Sequence, residues 1–77
     1  MPRYHFDLVD SKTVADQGGR IISDDIMAAD VADRLAQELF EIRKDLRGKN
    51  FYILVTNAEG EEIHRAPIDQ PLPTTFS

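Results

Sequence analysis

The chain contains no cysteine in 77 residues. That removes a disulfide framework, a thiolate nucleophile and a cysteine-based zinc site, and it leaves the redox compartment unmarked. Long apolar runs are missing too. The longest, Ile53 to Val55 behind the aromatics Phe51 and Tyr52, is far too short to span a bilayer, and no charged-then-apolar leader follows Met1. A soluble cytoplasmic protein without a membrane partner is therefore expected. Positive charge is scarce: nine basic against fourteen acidic residues give a net charge of −5. The summed field repels phosphate backbones, so nucleic acid is not an expected partner. A single small domain of this length, unaided by disulfides, gains only about 3 to 5 kcal/mol from its core, which makes self-association a natural supplement.

Strong periodicity is present, however. In the opening MPRYHFDLVD, Tyr4, Phe6 and Leu8 alternate with Arg3, His5 and Asp7, which predicts a strand from Arg3 to Val9, closed by the turn formers Asp10 and Ser11. Lys12 to Gly19 is irregular, with Thr13 to Ala15 open to an extended reading and a bend at Gly18 and Gly19, and Arg20 to Ile22 reads as a short second strand returning beside the first. Ser23 is a good N-cap, with Asp24 and Asp25 suiting the helix dipole behind it. Ala28, Ala32, Leu35, Leu39, Ile42 and Leu46 then fall on one stripe, up to a C-cap at Gly48. The helix so predicted has about 22 residues and is about 33 Å long. Its apolar arc is wide enough that Phe40 has two readings, as cover for a sheet edge or as part of an interface.

Asn50 to Thr56 is the clearest strand in the chain. Asn57-Ala58-Glu59-Gly60 has the residue preference of a type I turn and leads to a strand from Glu61 to Ala66. Pro67, Pro71 and Pro73 stop regular structure beyond that strand, leaving Ile68, Leu72 and Phe76 as anchors for a tail. The expected fold is α+β, a ββαββ domain over residues 1–66 with a Pro-rich tail over 67–77. One helix covers one face of a four-stranded, mostly antiparallel sheet. The covered face would hold Tyr4, Phe6, Leu8, Phe51, Ile53, Val55 and Ile63.

The opening MPRYHFDLVD, the spacing of Asp16, Gly19 and Ile22 in DQGGRII, the DDIMAAD helix start and the VTNAEGEEI hairpin together resemble a family of short bacterial proteins that begin Met-Pro-Arg-Tyr-x-Phe-Asp. The likeness runs from residue 1 to about residue 65. That family carries a domain-of-unknown-function label, so the resemblance implies a compact α+β fold and no activity. The chain departs from the usual pattern at His5, where the family more commonly has an aromatic.

Chemistry is sparse. Were the first and fourth strands neighbours, alternation would set His5 and His64 on the open face with Asp7 and Glu62, and two imidazoles with a carboxylate can hold zinc. The more ordinary reading is two surface histidines. Ser11, Ser23, Thr56 and Ser77 stand at turns, a cap or the tail and form no nucleophile elbow, and Gly18-Gly19 lacks the lysine of a phosphate loop. No enzymatic activity and no cofactor are expected. Arg3, Tyr4, Tyr52 and Arg65 lack the ribonucleoprotein consensus, and the basic Arg43, Lys44, Arg47 and Lys49 suit a helix C-terminus. By contrast, Tyr52, Leu54 and Val9 give the open face an apolar centre, rimmed by Arg3, His5, Asp7, Glu62 and His64. That is the anatomy of an interface. The leading expectation is a non-catalytic interaction or regulatory module that binds itself or another protein through this face. Alternatives are a tail folded back with Ile68, Leu72 or Phe76 over Tyr52 and Leu54, a face left partly exposed, or a metal or small-ligand site built from the histidines and carboxylates.

Overall fold

The computed structural model describes residues 2–46 and 48–68. The elements are β1 (Arg3–Val9), β2 (Val14–Ile21), α1 (Asp25–Ile42), a short 3-10 turn (Lys44–Leu46), β3 (Tyr52–Thr56) and β4 (Glu62–Pro67). All pairings are antiparallel, in the order β2-β1-β3-β4. The ββαββ arrangement is the one the periodicity predicts, and β1 has the expected bounds.

The core lies between α1 and one face of the sheet. Tyr4, Phe6 and Leu8 of β1 and Ile53 and Val55 of β3 point into it. The helix meets them with Ala28, Ala32 and Ala36, all buried at a spacing of four. Small side chains on the helix let its backbone approach the large side chains of the sheet. Val31, Leu35, Leu39 and Phe40 are partly buried around this contact.

The helix ends differ from expectation. Asp24, not Ser23, is the N-cap: its backbone is extended and its Oδ1 accepts from the Met27 N–H at 2.8 Å. A carboxylate there satisfies an orphan N–H and also complements the dipole. At the other end α1 stops at Ile42 rather than continuing to Gly48. Arg43 leaves the helical region at ψ 79°, and its guanidinium makes a two-pronged ion pair with Asp45. The chain re-enters as the 3-10 turn, which carries Leu46 into the core and leaves Ile42 73% exposed.

β2 is also longer than expected, beginning at Val14 instead of Arg20. It holds the bend within itself as a β-bulge. His5 pairs with Gly19 and Asp7 with Asp16, so β2 carries one extra residue across this interval. Gly18 absorbs the distortion at φ +97°, where a side chain is strained.

A second bulge shifts β4. Thr56 pairs with Glu62 while Val55 pairs with His64. Strict alternation is broken there, so Ile63 packs against the core and His64 also faces α1, where its Nε2 lies 2.9 Å from Asp33 Oδ1. The hairpin between β3 and β4 closes as expected, with Asn57 Oδ1 accepting from the Glu59 and Glu61 N–H groups. After β4, Ile68 is buried in the core and donates its N–H to the Phe51 carbonyl. Leu72 and Phe76 lie outside the described residues.

Candidate functional site: the open face of the sheet

Strand register decides what the face away from α1 contains. Val14, Val9, Tyr52 and Pro67 are consecutive partners across all four strands and form one apolar row. Val9 is buried although it stands apart from the core under the helix, and its cross-strand partners are Val14 and Tyr52. Pro67 is tolerated because β4 is an edge strand. Val14 is 72% exposed, so the row runs out to the free edge of β2.

The next row is Asp16, Asp7, Leu54 and Arg65. It is acidic at the β2 end, apolar in the middle and basic at the β4 end. Arg65 holds Glu62 through two hydrogen bonds and lies over the Tyr52 ring at 5.2 Å. The same hydrogen bonding holds the Glu62 carboxyl below its usual range. Gly19, His5 and Thr56 make the third row, and beyond them stand Ile21 and Arg3.

Of the residues expected at an interface, Arg3, His5, Asp7, Val9, Tyr52, Leu54 and Glu62 thus share one face. His64 does not, and neither does Phe40. Phe40 sits on α1, half-buried against the core on the other side of the sheet. Ile68 also goes to the helix side, so it does not cover Tyr52 or Leu54. The metal set His5, Glu62 and His64 is not assembled: β3 separates β1 from β4, the bulge turns His64 toward Asp33, and Glu62 is taken by Arg65.

A different group gathers around His5. Its Nε2 lies 3.0 Å from Asp7 Oδ1 and 3.3 Å from Asp16 Oδ1. Periodicity alone misses Asp16, because residues 12–19 show neither a clean alternation nor a helical stripe. The signal in the sequence is D-Q-G-G itself: Asp16 Oδ1 accepts from the Gly18 N–H at 2.6 Å, a local turn that sets the bulge. The same irregularity conceals Val14 and makes Ile21 look like part of a short strand, although both extend the open face.

Of the residues considered for nucleic acid, Arg3, Tyr52 and Arg65 stand on the open face and Arg47 lies outside the described residues. Tyr4 is buried with its hydroxyl on Asp25, and Arg43 is engaged by Asp45. Among the described residues no helix is long and apolar enough to cross a membrane.

Searches of curated proteins and of solved structures found no match. A match to a family described as Domain of unknown function (DUF6894) covers residues 3–69, from the start of β1 to just past β4. The chain belongs to that family.

Proposed function

We propose that the protein is a small, non-catalytic interaction module of the cytoplasm that self-associates through the open face of its sheet. The observation that carries this reading is the in-register row Val14, Val9, Tyr52 and Pro67, which runs across the full width of the sheet beside Leu54.

The row pattern favours a second copy as the occupant. A two-fold axis running parallel to the strands, between two stacked sheets, keeps each row opposite itself and exchanges β2 with β4. The apolar row then packs on its own copy. In the neighbouring row the same operation sets Asp16 of one copy against Arg65 of the other, and Leu54 near the partner's Asp7. Opposite charges therefore meet at both ends of an apolar centre.

Size limits the strength. Four strands at about 4.8 Å and about six residues at about 3.3 Å make a face of roughly 20 by 20 Å, below the ~800 Å² per partner of a standard interface. A weak dimer, in the micromolar range or weaker, is the expected outcome. Diluting the full chain while recording amide resonances tests the reading. Concentration-dependent shifts should centre on Val9, Tyr52, Leu54 and Arg65 and spare α1. Shifts centred on α1, or none, contradict it.

A further inference from the structure

The β1/β2 end of the open face carries its own chemistry. His5, Asp7 and Asp16 each bring one ligand atom within 4.8 Å of the other two. We infer that these three side chains bind one divalent first-row transition cation of the zinc or manganese kind. The site is complete within one chain, so it does not rest on self-association.

The distances support this directly. Ligand atoms held about 2.0 to 2.2 Å from a metal, at tetrahedral or octahedral angles, stand roughly 3 Å apart. The two nitrogen-to-oxygen separations are 3.0 and 3.3 Å. A cation can enter between these atoms with small rotations of the side chains.

Charge balance points the same way. Among the described residues, the ion pairs of Asp7 and Asp16 both run to the one nitrogen of His5. A ring nitrogen offers one proton or one lone pair, so it cannot serve two carboxylates at full strength. A dication satisfies both and takes the imidazole as a third ligand.

The scaffold is suited to hold the set. Asp7 and Asp16 are cross-strand partners on the sheet, and the Asp7 side chain is only 17% exposed. The Gly18 N–H donates to the same Asp16 Oδ1 that faces His5, which holds this carboxylate oxygen in place beside the ring. One imidazole with two carboxylates suits zinc, manganese or ferrous iron better than a soft ion or calcium. Three protein ligands leave positions for water. Arg3, whose guanidinium lies against Gly19 in the row beyond His5, is a fixed positive charge nearby and lowers the affinity. Binding in the micromolar range is expected.

The test is a titration of the full chain with zinc chloride, following the ring resonances of both histidines. The His5 signals should move and saturate at one equivalent per chain while His64, bonded to Asp33, stays in place. Asp16→Asn keeps an oxygen for the Gly18 N–H but loses the charge, and should weaken binding by ~10-fold or more; His64→Gln should bind as the parent does. His5→Gln, at a half-exposed position, serves as a second ligand variant if Asp16→Asn disturbs the fold. Absence of saturable binding, equal responses from both imidazoles, or parent-like binding by the ligand variants would overturn the assignment.

Discussion

The Tyr4 hydroxyl of β1 donates a 2.6 Å hydrogen bond to Oδ1 of Asp25, the first residue of α1. This bond ties the central part of the sheet to the start of the helix. It also pushes the Tyr4 pKa up from 10.0 to about 12, chiefly because the bonded carboxylate favours the protonated phenol, with burial adding to it.

A folded-state pKa above the unfolded value stabilises the fold fully below pH 10 and loses that contribution as pH rises toward about 12. In a Tyr52→Phe background, phenolate absorbance from Tyr4 should therefore appear only near pH 12. Asp25→Asn should bring it back toward 10. A midpoint at 10 with Asp25 intact would contradict the bond.

The helix cap offers a paired test. Asp24→Ala should cost about 0.5 to 2 kcal/mol in urea unfolding, because the Met27 N–H loses its acceptor. Ser23→Ala should change stability by no more than about 0.5 kcal/mol. Equal costs would mean that the cap is shared.

Close approach of helix and sheet through alanines predicts an overpacking penalty. Ala32→Leu inserts a large side chain at a fully buried position and should cost about 1 to 3 kcal/mol. Ile42→Ala, on the exposed last residue of α1, should be nearly neutral, within about 0.5 kcal/mol. Were α1 to continue through Leu46 with Ile42 in the seam, the second substitution would be expensive as well.

Gly18→Ala places a side chain at φ +97° inside the β2 bulge and should destabilise by ~1 to 2 kcal/mol. No neighbouring atom lies within 4 Å of the added Cβ, so the cost arises from backbone strain alone. Calorimetry on the parent and Gly18→Ala measures it, and an unchanged melting temperature would contradict the bulge.

The parts of this architecture legible in the sequence are those governed by local periodicity. Tyr4, Phe6 and Leu8 announce β1, Phe51 through Val55 announce β3, and the Asn57 to Gly60 turn joins β3 to β4. Two bulges hide the rest, because one extra residue reverses which side chains share a face. That reversal moves His64 from the open face to Asp33 and conceals Asp16 as the partner of Asp7. Strand order depends on long-range pairing and has no local signature, so nothing in the sequence marks the separation of β1 from β4. The helix end at Ile42 reflects competition between α1 and the Arg43–Asp45 pair, which periodicity alone does not register.

Self-association through the open face is tested by the mass in solution, measured by light scattering after gel filtration over a hundredfold range of concentration, for the full chain and for Leu54→Arg. The parent should move from 8.7 kDa toward twice that mass as concentration rises, while Leu54→Arg stays monomeric. A parent that remains a monomer throughout, or a variant that associates as the parent does, would contradict the account.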